Sequence, residues 1–516
     1  MPYIPDRPTV RALLEARAAS DGDRVYCRFG DEAITFAELD GRVNRFANAL
    51  SARGIGPGDR VPLMLANHPT HIVSFFALQK LGAIQVPVNT HLRGTGLEYP
   101  LRHSEPKAMI ADAAFAERLA LALEAVPVET VIWHGDGPDG GLDFGALLAT
   151  SADGPPATPG PGPDDVVSIS YTSGTTGPPK GVMVTDKMFR CAGRATILMA
   201  HVRPGDTMFL WEPLYHIGGS QVMVTALLED IEIALVDGFS ASAFWGQVRG
   251  CGATQIHFLG GILQILLRQP EDGRDRDHSV RVAWGGGAPR AVSHAFTARF
   301  GIPIHEGYGM TEASSMTAIN TEGRTDNMGR PAPYFEVRIA GAGGQALPPG
   351  ENGEILVREC EPGLLMKGYF RNPEATAAAL KDGWLHTGDL GRLDAEGYLT
   401  FSGRLKDSIR RRGENVSAWE VEHVVVGHPG VEECAVVGVE ADVGEEDIKL
   451  FVKPAHGQAP APGDIIQWCE TDLARFQLPR YVAFIDEFPK TATHRIRKDA
   501  LSRAIDDCWD READGG

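Results

Sequence analysis

Tyr171-Thr172-Ser173-Gly174-Thr175-Thr176-Gly177-Pro178-Pro179-Lys180-Gly181 is a glycine- and hydroxyl-rich loop entered directly from a strand-like run, Val166 to Tyr171. Glycines let a backbone turn its N–H groups inward, hydroxyls add donors, and a lysine supplies a point charge. The stretch therefore reads as a nest for a polyphosphate. Its spacing is not the Gly-x-x-x-x-Gly-Lys-Ser/Thr of a Walker loop. A generic loop of this composition is as often a surface turn, but the strand in front and the Lys-Gly behind set this one apart. By contrast, Gly135-Asp136-Gly137-Pro138-Asp139-Gly140 fits a GxGxxG pattern yet puts a proline and two acids where a pyrophosphate would sit, so it reads as a turn.

Upstream of the loop, Arg60 to Leu65, Ile84 to Val88 and Thr130 to Trp133 look like buried strands, with a helical run through Phe75 to Leu81 between the first two. That alternation argues for βαβ units and a parallel sheet. Gly154 to Pro163 is too rich in proline and glycine for a helix or central strand and reads as an exposed connector. From about Gly329 to Tyr398 the texture changes to short β runs with turn signals, including Glu336 to Ala340 and Glu354 to Arg358, which suggests an antiparallel, barrel-like piece. A new α+β pattern follows, with a strand at Glu433 to Val439. The expected architecture is α/β: a large body of βαβ-type subdomains plus a β-barrel-like piece over residues 1–405, and a small α+β domain over 406–516.

The chain has 516 residues, a soft prior of roughly three compact units. A net charge of −19 makes nucleic acid or an anionic membrane a poor partner. No apolar run reaches the ~18–20 residues that span a bilayer, and the first residues lack a signal-peptide pattern, so a cytoplasmic location is expected. The seven cysteines are scattered, no two closer than 35 residues, which fits free thiols rather than a metal or redox pair.

Further segments extend the loop's reading. They are Thr35-Phe36-Ala37-Glu38-Leu39, Pro213-Leu214-Tyr215-His216-Ile217-Gly218-Gly219, Gly285-Gly286-Gly287-Ala288-Pro289, Glu306-Gly307-Tyr308-Gly309-Met310-Thr311-Glu312, Trp384-Leu385-His386-Thr387-Gly388-Asp389 and Gly403-Arg404-Leu405-Lys406-Asp407. In this order and spacing, together with the loop, they resemble the adenylate-forming superfamily of acyl-CoA synthetases, peptide-synthetase adenylation domains and luciferases. The likeness runs from about residue 30 to 500. Ser240 to Val248 and Gly413-Glu414-Asn415-Val416-Ser417 look closest to carnitine/crotonobetaine-type acyl-CoA ligases.

The resemblance implies a two-step reaction with ATP, Mg²⁺ and CoA: a carboxylic acid is activated as its acyl-adenylate with release of pyrophosphate, then passed to CoA. It implies that Thr172, Ser173, Gly174, Thr175, Thr176 and Lys180 hold the β- and γ-phosphates, that Glu312 holds Mg²⁺, and that Thr311 donates to the α-phosphate. Tyr308 would stack on adenine, and Asp389 would take the ribose hydroxyls with help from Arg404. Gly286, Gly287, Glu306, Gly307 and Gly309 would line the nucleotide site, His216 would gate the acid pocket, and Lys406 would be the hinge on which the small domain turns. The pocket itself is expected near His216, Phe258 to Gly261 and Trp284 to Gly287.

Three positions depart from the family pattern. Where relatives carry Gly-Lys near the C-terminus, this chain has His494-Arg495. Three assignments stand: Arg495 does the lysine's work, Lys490 or Lys498 reaches in instead, or adenylation is slowed. Arg412 replaces a glycine that lines the pantetheine tunnel of relatives, and Arg410-Arg411-Arg412 reads either as a solvated basic face or as a contact for CoA phosphates. Asp186 replaces a common histidine, with little consequence expected. The acceptor stays open between CoA and a small alternative (an amine, nitrite or a carrier-protein thiol), and a nucleotide-binding protein without turnover is a third reading. A homodimer is allowed; no nucleic-acid or membrane partner is expected.

Overall fold

The computed structural model describes residues 3–4, 8–172, 179–259, 261–405, 408–411, 414–441, 446–473, 475–491 and 495–514. Among these residues the large body is built on three sheets of seven, nine and five strands. In the seven-stranded sheet the order is Leu142–Asp143, Thr130–His134, Ala108–Asp112, Arg60–Met64, Ile84–Pro87, Val166–Thr172, Lys180–Thr185. All neighbours are parallel except the last pair, a hairpin closed by the glycine-rich loop. The strands read from the sequence upstream of that loop all lie in this sheet. Its helix Pro69–Leu81 is buried on every face, the mark of an element packed between layers rather than on a surface. Proline at its first turn and Gly82, at φ 70°, after its last set its ends.

The nine-stranded sheet carries the parallel run Ile231–Leu235, Asp206–Leu210, Gln255–Leu259, Val282–Gly286, Ile304–Met310. The N-terminal strand Val25–Phe29 pairs with Ile231–Leu235 in this sheet rather than joining the first one, and Glu32–Thr35 follows it as the edge strand. Helices Asp186–Ala200 and Ile217–Leu228 share one hydrophobic core with both sheets. The run 335–404 forms the five-stranded antiparallel sheet, the barrel-like piece expected from its texture.

Beyond Ser408 lie a two-stranded ribbon, a four-stranded sheet begun by Val431–Glu440 and separate small cores. Arg268 of the large body meets Glu432 here, Nη1 to Oε1 at 3.0 Å and Nη2 to the carbonyl at 3.2 Å. The basic run does not read as a solvated face or a phosphate contact at Arg411. That side chain is 1% exposed, with Nε bonded to Asp447 at 2.9 Å and Nη1 to the Leu478 carbonyl at 2.6 Å. Asp186, expected to matter little, is fully buried and ties two helices together by accepting from Val10 N–H at 2.8 Å and Arg190 Nε at 2.7 Å. All seven cysteines are free thiols. Among the described residues no helix is long and apolar enough to cross a membrane.

Candidate active site

The parallel strands of the nine-stranded sheet end on one side, where open α/β sheets place their ligands. Tyr308, at the end of Ile304–Met310, donates its hydroxyl to Asp389 Oδ2 at 2.8 Å. Asp389 stands opposite Arg404 in the register of two antiparallel strands, and Arg404 Nε lies 3.5 Å from its other oxygen. Burial, then the Asp389 charge, raises the Tyr308 phenol far above its usual value, so it remains a donor. Its ring is 6.0 Å from Phe401.

The hairpin below the glycine-rich loop delivers Lys180, whose Nζ sits 4.8 Å over the Tyr369 ring. Tyr369 in turn donates to Glu312 Oε1 at 3.0 Å. Burial raises the Glu312 carboxyl, with Asp389 adding to the effect and Lys180 opposing it. Backbone bonds hold this group together: Phe370 N–H to the Gly181 carbonyl at 2.7 Å and Met366 N–H to the Glu312 carbonyl at 2.9 Å. Thr311 and Glu312 form a single 3₁₀ turn at the end of the Tyr308 strand. Ser173, Gly174, Thr175, Thr176 and Lys406 lie outside the described residues; Thr172 is paired with Lys180 at the mouth of the hairpin.

Glu306 takes the Ala288 N–H at 3.0 Å, and burial lifts its carboxyl to about 7. Gly287 beside it has φ 83°, a left-handed conformation that side chains avoid. Next to Gly286, and along Gly307 and Gly309, backbones approach closely; a Cβ on Gly309 would lie 1.6 Å from the Ser315 carbonyl oxygen.

On the acid side His216 precedes the helix Ile217–Leu228, and its Nε2 is buried without a hydrogen-bond partner. Burial lowers its pKa, Arg495 adds to this and Glu212 opposes it, which favours a neutral ring. Arg495 keeps solvent access but stands in a crowded crevice: burial and then Arg404 lower its pKa, while Asp389 and Glu212 oppose. The two lysines that compete with it are engaged elsewhere, Lys490 with Glu433 at 2.6 Å and Lys498 with Glu422 at 2.7 Å.

Motif reading missed four residues here. Tyr369 bridges Lys180 and Glu312. Asn67 staples the segment before His216, donating to the carbonyls of Trp211 and Glu212, both at 3.1 Å, and accepting Leu214 N–H at 3.0 Å. Glu212 and His257 lie 2.9 Å apart, both buried. Glu212 directly precedes Pro213, so a charge at the edge of an apolar strand was the available signal.

The profile described as AMP-binding enzyme matches residues 14–370, and that of the AMP-binding enzyme C-terminal domain matches 420–495. The chain belongs to the AMP-binding enzyme family. Its relatives include a crotonobetaine/carnitine–CoA ligase of Salmonella arizonae, 34% identical over 488 residues, covering 91% of this chain and 93% of that protein. A feruloyl-CoA synthase of Amycolatopsis is 35% identical over 486 residues, covering 92% and 95%. Among solved AMP-binding structures, an anthranilate CoA ligase with anthranoyl-AMP superposes at a TM-score of 0.88, with 27% identity and 96% coverage of both chains. The o-succinylbenzoate coenzyme A synthetase of Bacillus subtilis, with ATP and magnesium ion, gives 0.84, with 27% identity, 95% coverage of this chain and 98% of that one.

Proposed function

We propose that the chain is an ATP-dependent, AMP-forming acid–CoA ligase, with the residues around the cleft in the following roles. A substrate carboxylate oxygen attacks the α-phosphorus of ATP, pyrophosphate leaves, and the thiol of CoA then displaces AMP from the acyl carbon. The convergence of Asp389, Tyr308 and Arg404 with Lys180, Glu312 and Arg495 on one cleft carries this reading. Asp389 orients the ribose, and Tyr308, already bonded to it, fixes that carboxylate. Lys180 and the loop 172–176 neutralise the outer phosphates, Thr311 donates to the α-phosphate, and His216, kept neutral, bounds the acid pocket.

Glu312 suits Mg²⁺: it is a buried carboxylate within the field of Lys180, and among the described residues no group of three ligating side chains forms a dedicated cage. Such a site fits an ion that takes its other ligands from phosphate and water. The ion supplies charge neutralisation on the triphosphate. For the basic residue at the α-phosphate, the engagement of Lys490 and Lys498 with Glu433 and Glu422 favours Arg495. We place the boundary between the two domains at 405/406, with Lys406 as the hinge.

The test is pyrophosphate release from ATP over a panel of carboxylic acids, with and without CoA, with products weighed by mass spectrometry. Acyl-CoA and AMP are the expected products. An acyl-adenylate with no thioester would replace CoA by another acceptor, and ATP binding with no pyrophosphate released would overturn the enzyme reading.

A further inference from the structure

The acid side of the cleft contains a carboxylate to which the reaction above gives no work. Glu212 follows the strand Asp206–Leu210, and its side chain is only 4% exposed. Its Oε2 lies 2.9 Å from His257 Nδ1, and among the described residues no lysine or arginine comes within ion-pair distance of it. Burying a carboxylate is expensive unless donors surround it. Despite their close approach, Glu212 Oε2 and His257 Nδ1 are both buried without a hydrogen-bond partner among the described residues.

The surroundings place this charge at the pocket rather than in the general core. Oε1 reaches toward the first turn of the helix Ile217–Leu228, where a Cβ on Gly218 would lie 2.3 Å from it. Gly218 is thus what leaves room for the carboxylate. The field of Glu212 is felt at Tyr215, His216 and Arg495, the groups that bound the acid side. His257, beside the carboxylate, packs 4.3 Å from Trp284 and 5.9 Å from Trp211, ring centroid to ring centroid. Trp211 Nε1 is bonded to the His257 carbonyl at 2.8 Å, and Asn67 fixes the Glu212 backbone, so the carboxylate is held in place.

We propose that Glu212 sets the acid specificity, and that the substrate is a carboxylic acid carrying a protonated primary amine at its far end. The amine brings a hydrogen-bond donor and a positive charge to a carboxylate whose Oε2 has no hydrogen-bond partner and to which no lysine or arginine pairs among the described residues. A quaternary nitrogen has no N–H to give, and a hydroxyl gives a donor without the charge. The inference rests on the acid-activating reading above. Selection works in both directions, because an apolar acid would leave the carboxylate buried and unpaired.

The experiment compares 6-aminohexanoate, 6-hydroxyhexanoate and heptanoate, with their three- to five-carbon counterparts, in pyrophosphate release by the wild type and Glu212→Gln. The wild type is expected to prefer the amino acid to its alkyl counterpart by at least about a hundredfold in kcat/KM. Glu212→Gln is expected to abolish that preference while still using the alkyl acid. Equal use of amino and alkyl acids, or of amino and hydroxy acids, overturns the proposal. So does a Glu212→Gln enzyme equally impaired on every acid, which would make the residue structural. Equilibrium binding of the 6-aminohexanoyl and heptanoyl sulfamoyl-adenosines to the wild type is the second readout, independent of turnover and of whether the variant folds. Tighter binding of the amino compound with no acid turned over would sink the ligase reading and keep this one, whereas equal binding sinks this one.

Discussion

The two sides of the cleft are made differently. On the nucleotide side, Lys180, Tyr308, Glu312 and Asp389 each sit in a short sequence motif, even though they come from different sheets: Asp389 faces Arg404 across a ladder, and Lys180 reaches Glu312 through Tyr369. On the acid side, His257 and Trp284 lie within two strands, Asn67 and Glu212 lie just beyond two others, and the four meet only in the folded molecule. Phosphate chemistry is common to every substrate and can be written into local motifs; recognition of a particular acid is assembled from distant positions.

The largest effect expected on this contrast is at Arg495. Arg495→Ala should lower adenylation by about 10²–10³-fold in kcat, the scale of losing a transition-state donor, whereas Lys490→Ala and Lys498→Ala should leave it near wild type. Single-turnover pyrophosphate release checks this, and loss in a lysine variant instead would move the role there.

Glu306 gives a pH signature of about 3 kcal/mol. Its carboxyl is raised from 4.5 to about 7 by burial, so the folded state holds the proton more tightly than the unfolded chain. The stability this adds is fully present below about pH 4.5 and is lost as pH rises through about 7. Urea unfolding from pH 4.5 to 8 should show that loss in the wild type and not in Glu306→Gln.

On the nucleotide side, Asp389→Ala and Lys180→Ala should each weaken ATP use by ~1–3 kcal/mol, seen as a raised KM for ATP. Unchanged ATP kinetics in both would dismantle that half of the site. Its acid-side counterpart is Asn67→Ala, which strips the staple from the Trp211–Leu214 backbone. The expected loss is ~1–3 kcal/mol of stability, with the acid KM rising more than the ATP KM. The smallest effect is Tyr369→Phe, about 1 kcal/mol for one hydrogen bond to Glu312, read as a modest shift in the Mg²⁺ dependence.

The same contrast explains what the sequence disclosed. The strands at 60–64, 84–87, 130–134 and 166–172 and the buried helix 69–81 were legible because their apolar runs are continuous and bounded by turn residues. Tyr308, Asp389, Glu312 and Lys180 were legible because each sits in a compact motif. Glu212, His257 and Asn67 were not: beyond the charge at the edge of the apolar run before Pro213, nothing local distinguishes a polar residue destined for a buried pair from one bound for the surface. Arg411 shows the reverse error: within a basic triplet it looked like surface, but Asp447, 36 positions on in the chain, draws it into the interior.

The Arg268–Glu432 bridge spans the small sheet and the large body with its side chains 45% and 23% exposed. A half-wet ion pair of this kind is worth about 0–1 kcal/mol and fades with added salt. The clasp that helps hold Arg495 over the cleft is therefore a latch, not a lock. On the proposal that the small domain turns about Lys406 after adenylation, this ion pair adds little to the barrier, and it is the contact that raised ionic strength should weaken first.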